Sequence, residues 1–97
     1  MPAYLFVQIR VSHPDVWADY RSRVGPLAAR FGARYLVRGA KVEVLEGSHD
    51  GRSLVVFEFP SIQAIHDFWS SADYLELKKL REGAAELDTW AVPGVEG

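Results

Sequence analysis

The order in which apolar residues repeat along this chain limits its fold more than any other feature. Alternating apolar residues predict a strand, and apolar residues at three- and four-residue steps predict an amphipathic helix. The predicted segments are, in order, strand Tyr4–Val11, helix Pro14–Phe31, strand Arg34–Glu46, strand Leu54–Phe59, broken helix Ile62–Ala85 and strand Leu87–Val92. This β-α-β-β-α-β order is typical of the ferredoxin-like α+β fold, in which two helices cover one face of a four-stranded antiparallel sheet.

Proline, glycine and serine residues divide these segments further. Gly25-Pro26 predicts a kink in the first helix or its division into two short helices, because proline cannot donate a backbone hydrogen bond. Gly39-Ala40 permits a two-residue hairpin, but one long strand with a glycine-centred bulge is favoured, since the helices can cover four strands. Ser70 and Asp73 predict a break and a new N-cap in the second helix. Residues 93–97 are expected to fray.

Size and composition exclude several classes of function. A length of 97 residues fits one domain, which we place at residues 1–97. The net charge of −2 gives no electrostatic case for nucleic-acid binding, and no apolar run approaches membrane-spanning length. The absence of cysteine excludes a disulfide framework and a thiolate metal site. No signal peptide is recognisable, so we expect a cytoplasmic protein with neither a nucleic-acid nor a membrane partner.

The sheet face away from the helices predicts a homodimer. One face of the first strand is wholly aliphatic and suits a position under the helices. The other face begins with Tyr4 and Phe6, and Val56 joins them there together with either Trp90 or its neighbours, depending on strand parity. Exposing such side chains forfeits about 1.5–3 kcal/mol each. We therefore expect two copies to pair their sheets face to face in one barrel-like core.

Segments spread over the whole chain are similar to one known family. They are Met1–Tyr4, Tyr20-Arg21, Pro26-Leu27, Arg34–Gly39, Val42–Gly47, Val55–Ser61, Tyr74–Arg81 and Gly83–Ala85. In these segments the chain resembles the small bacterial family called domain of unknown function 1330. The resemblance implies the dimeric α/β-barrel superfamily, whose members include cofactor-free monooxygenases, lactone isomerases and haem-dependent enzymes. A shared fold does not define a reaction, so the resemblance supplies no activity.

The three histidines are acid–base candidates with simpler structural explanations. His13 precedes the proline of a helix start, and the polar loop around His49 suggests exposure. His66 lies at the edge of an apolar helix stripe, where it is either a half-buried structural residue or a ligand contact. The three show no i, i+4 pair and no carboxylate at metal-ligand spacing, so no metal site is expected.

Two arginines and one glutamate lie in segments predicted to be buried, where a charged side chain needs a partner of opposite charge. Arg81 follows Tyr74 by seven residues on an inward helical face, and a guanidinium cannot be neutralised. Glu58 lies in an apolar central strand. An internal ion pair of Glu58 with Arg38 or Arg81 is one explanation. The alternative is a polar patch in which arginine holds a carboxylate or an enolate.

The aromatic residues of both helices and the second strand indicate either core packing or a small-molecule cleft. The candidate pocket residues are Tyr20, Arg38, Glu58, His66, Tyr74 and Arg81. Three functions stay open: a cleft for a small organic ligand, a monooxygenase or isomerase without cofactor, and a non-catalytic structural or stress-associated dimer. No cofactor is expected and no catalytic residue is assigned.

Overall fold

The computed structural model describes residues 1–95 and confirms the predicted α+β fold class. Its elements are β1 (Ala3–Val11), α1 (Pro14–Ala29), β2 (Arg34–Ala40), β3 (Ser53–Phe59), α2 (Ile62–Ser70), α3 (Ala72–Leu80) and β4 (Ala85–Pro93). The four strands form one antiparallel sheet in the order β2-β3-β1-β4, as the ferredoxin-like arrangement requires.

The core lies between the helices and one face of the sheet. The alternating residues Leu5, Val7 and Ile9 of β1 are buried there, and Phe57 lies opposite Leu5 on β3. The helices contribute a larger set of buried side chains: Tyr20, Val24, Leu27, Ala28, Ile65, Phe68 and Tyr74. The aliphatic face predicted for β1 therefore lies under the helices.

Helix α1 is continuous through its proline. The alternative of two short helices is wrong, because the residues after Pro26 are held by packing: Leu27 and Ala28 are both buried. Proline removes a single N–H donor, and burial of the last turn offsets that loss. Gly32 follows the helix with a φ of +85°, the left-handed conformation predicted for its C-terminus.

Strand β2 is shorter than predicted. Two register shifts, between Tyr35 and Val37 and between Arg38 and Ala40, interrupt its pairing with β3, and Gly39 has a φ of +78°. The glycine-centred bulge is therefore confirmed, but the extension of the strand to residue 46 is wrong. The two strands are antiparallel, and Ala40 lies opposite Leu54, the second residue of β3. Beyond Ala40, β3 therefore has almost no residues left with which residues 41–46 could pair.

One residue separates α2 from α3. The Ser71 hydroxyl donates a hydrogen bond to the Phe68 carbonyl oxygen (2.8 Å) and accepts one from the Tyr74 N–H (3.1 Å). The predicted break is confirmed, although the cap is Ser71 rather than Ser70. At the end of β4, the Gly94 N–H donates to the Pro2 carbonyl oxygen at 2.8 Å, so the fraying expected from residue 93 does not begin there. Glu96 and Gly97 lie outside the described residues.

The sheet face away from the helices is divided into an apolar and a polar half. Strand pairing places Phe6 between Val56 and Trp90 in the apolar half. In the polar half, the Arg52 guanidinium binds Asp88 (2.6 Å), and His49 Nε2 lies 3.1 Å from the Gln8 side-chain oxygen. Within residues 1–95, no helix combines the length and apolar character that a membrane span needs.

Candidate functional site

Three of the predicted pocket residues form a buried cluster between the helices. The Tyr20 and Tyr74 hydroxyl oxygens are 3.0 Å apart, and Arg81 Nη2 donates to the Tyr74 hydroxyl at 3.3 Å. The Arg81 guanidinium also lies 5.6 Å from the centre of the Tyr20 ring. Tyr20 and Tyr74 are buried, and buried hydroxyls need partners. We call Tyr20, Tyr74 and Arg81 the buried tyrosine–arginine cluster.

Within the buried cluster, the Tyr20 hydroxyl is a hydrogen-bond donor and not a base at neutral pH. Burial raises the pKa of the Tyr20 hydroxyl far above its usual value of 10.0, and the neighbouring Tyr74 raises it further. Tyr20 therefore stays protonated. Arg81 Nε is buried and has no hydrogen-bond partner among residues 1–95.

The space beside this cluster is nearly filled. The Phe68 and Tyr74 ring centres are 4.5 Å apart, and those of Trp69 and Tyr74 are 5.0 Å apart. The cavity that remains between these rings and the sheet has a volume of about 40 Å³. A cavity that holds a molecule as small as benzene measures about 150 Å³, so this one is too small for an organic ligand.

A much larger depression opens on the surface between α1 and β2, and we call it the outer groove. Its volume is about 950 Å³. Trp17 and Arg21 line it from α1, Tyr35 and Arg38 line it from β2, and Phe57 lies at its base. A second depression of about 390 Å³ continues past Arg38 towards Arg52 and shares Trp17, Arg21, Tyr35 and Arg38 with the first.

Tyr35 separates the outer groove from the interior. A Cβ atom built on Gly25 would lie 3.2 Å from Tyr35 Cε2, so the ring packs directly against the backbone of α1. The Arg38 guanidinium carbon lies 4.4 Å from the centre of the Tyr35 ring. Burial raises the pKa of the Tyr35 hydroxyl, and the positive charges of Arg38 and Arg21 partly oppose that rise. Both guanidinium groups therefore act on the same side chain.

Two of the arginines that line the groove, Arg21 and Arg38, differ from most other arginines of the chain. Among residues 1–95, neither Arg21 nor Arg38 forms an ion pair or a side-chain hydrogen bond. The remaining arginines bind carboxylates, except Arg81, which binds Tyr74. The candidate set from the sequence contained Arg38 and missed Arg21. A signal existed, because Arg21 lies one helical turn after Trp17, which predicts a shared helix face.

Glu58 does not pair with Arg38 or Arg81, so both versions of the expected internal ion pair are wrong. Its carboxylate accepts from Arg34 Nε at 3.0 Å. The side chains of Glu58 and Arg38 lie on opposite faces of the sheet, because Glu58 pairs with Tyr4 whereas Arg38 pairs with Val55 on the helix side. Strand parity thus separates the two charges.

The histidines lie in three separate places. His66 is exposed and lines a depression of about 460 Å³ between α2 and β4, together with Trp69 and Thr89. His13 Nδ1 donates to the Gly83 carbonyl oxygen at 3.1 Å. His49 is less exposed than expected, because its ring binds Gln8 on one side and accepts from the Gly51 N–H (3.1 Å) on the other.

One charged residue that the sequence did not single out holds the loop before β3. Arg52 is 8% exposed, and it binds Asp50 through Nε (2.7 Å) and Asp88 through Nη1 (2.6 Å). The backbone N–H of Arg52 also donates to Asp50, at 3.1 Å. These contacts satisfy its charge and fix the end of the loop on the sheet, so Arg52 is already paired where it borders the second depression.

The order of elements and the sheet topology define an α+β protein of the ferredoxin-like class, with a groove between its first helix and an edge strand. Within that class, the chain belongs to the family described as Domain of unknown function (DUF1330), whose model matches residues 2–95. No curated protein matches the chain.

Solved structures share the fold at low sequence identity. A protein of unknown function from Rhodopseudomonas palustris is 22% identical, with a TM-score of 0.73 over 99% of this chain and 84% of that one. SnoaB, a cofactor-independent oxygenase from Streptomyces nogalater, is 11% identical, with a TM-score of 0.67 over 99% of this chain and 95% of that one. The de novo designed protein Foldit4 is 14% identical, with a TM-score of 0.63 over 98% of this chain and 100% of that one. Likeness at this level establishes the fold and no activity.

Proposed function

We propose that this protein is a homodimer that binds a small organic molecule in the outer groove. The observation that carries the proposal is the contrast in size between the two spaces. Ligand sites typically measure about 300–1,000 Å³ and have apolar walls with a few polar groups. The outer groove has about 950 Å³, with Trp17, Tyr35 and Phe57 beside Arg21 and Arg38. The interior offers about 40 Å³.

Blocking the groove tests this proposal. Ala18 lines the outer groove on the exposed side of α1, so Ala18→Trp fills it without disturbing the core. Ala72 is exposed on α3 outside the groove, which makes Ala72→Trp the matched control. A thermal-shift screen of charged and neutral fragments should give compounds that raise the Tm of the wild type and of Ala72→Trp, but not of Ala18→Trp.

The screen is decisive in both directions. At a ligand concentration one hundred times Kd, binding to the native state adds about 2.7 kcal/mol, which a thermal shift detects readily. A screen without any stabilising compound contradicts the proposal. So does a set of compounds that stabilise Ala18→Trp as strongly as the wild type.

The apolar half of the free sheet face supports the homodimer. Trp90 is 46% and Val92 43% exposed, and their partners Phe6 and Tyr4 extend the same surface. Burying each large side chain is worth about 1.5–3 kcal/mol. A second copy placing the same apolar surface against it, around a two-fold axis, removes that exposure.

Sedimentation tests the dimer through one substitution in this face. We expect a wild-type dimer at micromolar concentration and a monomer for Trp90→Glu, since a buried carboxylate without a partner opposes association. Leu75→Glu is the matched control, because Leu75 is 50% exposed on α3, away from the sheet. It should remain a dimer. A monomeric wild type contradicts this part of the proposal.

A cofactor-free oxygenase or isomerase is the second candidate function. The groove arginines support it, since the guanidinium groups of Arg21 and Arg38 can stabilise negative charge that develops on an enolate bound beside them. The test is to incubate a groove ligand with the protein in air and without oxygen and to follow its mass. Conversion that Arg38→Gln abolishes and Arg23→Gln preserves supports catalysis in the groove, because Arg23 is paired with Asp19 outside it. An unchanged ligand contradicts it.

A further inference from the structure

We propose that the ligand of the outer groove is a planar organic carboxylate, held at its charged end between Arg21 and Arg38. This inference rests on the function proposed above and names the class of ligand for the same groove. Three features carry it: the charge of the lining, the unpaired state of the two guanidinium groups, and the aromatic surfaces beside them.

The charge of the lining opposes the charge of the chain. The net charge is −2, with 13 acidic and 11 basic residues. Every charged side chain that lines the outer groove is nevertheless an arginine: Arg21, Arg34 and Arg38. Arg34 is already paired with Glu58, which leaves Arg21 and Arg38 for a ligand. A cationic ligand would be repelled here, and an anionic one attracted.

The two unpaired guanidinium groups line the same aromatic groove. Arg38 stacks on Tyr35 at 4.4 Å, and Arg21 lines the groove beside the same tyrosine. Two like charges near one side chain repel each other unless an anion lies between them. A guanidinium presents its N–H donors in a planar fork that matches the two oxygens of a carboxylate.

The rest of the groove suits a flat apolar body. Trp17 is half-buried from α1, and its ring centre lies 5.0 Å from that of the buried Tyr20, which fixes its position. Phe57 and the stacked Tyr35 continue this aromatic surface on the sheet side. A conjugated or aromatic ring beside the carboxylate can pack on these residues. Such a surface offers little to a ligand that is polar throughout.

A matched pair of probes tests the charge requirement. Calorimetric titration with 2-naphthoate and its neutral isostere 2-naphthamide compares two ligands of the same shape. We expect naphthoate to bind at least about tenfold more tightly than naphthamide. Its affinity should fall as salt concentration rises, because exposed charges are screened. Naphthyl phosphate is the third probe, and tighter binding of the phosphate than of the carboxylate overturns the assignment.

Substitutions of the arginines locate the interaction. Arg21→Gln and Arg38→Gln should each weaken naphthoate binding about tenfold and leave naphthamide unchanged. Arg38→Lys keeps the charge but loses the planar fork, so its affinity should fall between those of the wild type and Arg38→Gln. Arg23→Gln is the control, because Arg23 is paired with Asp19 on α1 and does not line the groove.

The inference and the proposed function fail in different experiments. Equal binding of naphthoate and naphthamide, or naphthoate binding insensitive to both glutamine variants, overturns the carboxylate while leaving a groove ligand intact. Absence of binding by naphthoate, benzoate and indole-3-acetate at millimolar concentration also overturns it. Failure of the groove itself is recognised separately, when no neutral or charged fragment responds to Ala18→Trp.

Discussion

Two arginine–tyrosine arrangements in this molecule use the same chemical groups for different ends. In the buried tyrosine–arginine cluster, Arg81 binds the Tyr74 hydroxyl and Tyr74 contacts the Tyr20 hydroxyl, so each tyrosine hydroxyl has a partner. In the outer groove, Arg38 stacks on the face of Tyr35 and makes no hydrogen bond to another described side chain. In the cluster the hydroxyls bind to groups of the cluster itself, whereas in the groove the Arg38 N–H donors remain available to a ligand.

The difference teaches that the residue types alone do not separate a structural arginine from a binding one. What separates them is the space beside each arrangement: about 40 Å³ next to Tyr20 and Tyr74 in the cluster, and about 950 Å³ next to Arg38 in the groove. Stability should therefore depend on the cluster, and ligand affinity on the groove. The following changes test that division, beginning with the largest expected effect.

Removing one hydroxyl from each arrangement gives the sharpest contrast. Tyr74→Phe should lower the free energy of unfolding by about 1–3 kcal/mol, because it leaves buried donors of Tyr20 and Arg81 without their partner. Tyr35→Phe should change it by less than about 0.5 kcal/mol, since no described side chain binds that hydroxyl. Urea unfolding of both variants measures the two values. Equal losses would show that the groove tyrosine is also structural.

Replacing the arginines should also lower stability more at the cluster than at the groove, but by less than the tyrosine substitutions do. Arg81→Met keeps an apolar stem and removes the guanidinium, and we expect a loss of about 1–2 kcal/mol in unfolding free energy. Arg38→Met should stay within about 0.5 kcal/mol of the wild type, as is usual for exposed sites. Thermal and urea unfolding provide the measurement. A large loss in Arg38→Met contradicts the division.

The contact between Gly25 and Tyr35 is tested by a double-mutant cycle. Alanine is favoured over glycine within a helix by about 1 kcal/mol, so Gly25→Ala should stabilise a Tyr35→Ala variant by roughly that amount. In the wild type the gain should be smaller or absent, because the new Cβ would lie 3.2 Å from the Tyr35 ring. The same gain in both backgrounds would mean that the ring moves aside freely.

A third arginine shows how a carboxylate partner differs from a tyrosine partner. The Arg52 backbone N–H and guanidinium bind Asp50 and hold the pKa of that carboxyl below its ordinary value of 3.8. A lowered folded-state pKa contributes stability above pH 3.8 that is lost as the pH falls through the folded value. Asp50→Asn should therefore be less stable than the wild type at neutral pH, and the two should converge in acid. Urea midpoints measured against pH give the answer.

Periodicity along the chain was sufficient to predict the fold. Each of the six predicted segments corresponds to an observed element, and the interruption near Ser70 separates α2 from α3. The errors concern the length of β2 and the continuity of α1, which depend on contacts between residues far apart in the sequence. Residues 41–46 alternate like a strand, but β3 begins too late in register to pair with them. Burial of Leu27 and Ala28 likewise outweighed the proline before them.

The candidate site was predicted only in part, for the same physical reason. The inward helical face correctly placed Arg81 beside Tyr74. Whether Arg38 and Glu58 share a face depends on the register shift between Tyr35 and Val37, which local sequence does not determine. Arg21 was missed because its spacing from Trp17 indicates a shared helix face but does not show that a groove lies beside that face.

The turn between α2 and α3 has a consequence for how relatives of this chain can vary. Ser71 is the single residue between the two helices, and its one hydroxyl caps both the end of α2 and the start of α3. An insertion here would rotate Tyr74 out of reach of Tyr20. Family members should therefore conserve the spacing from Phe68 to Tyr74 and place their length differences in residues 41–48, before the contacts of His49 and Arg52 fix the loop on the sheet.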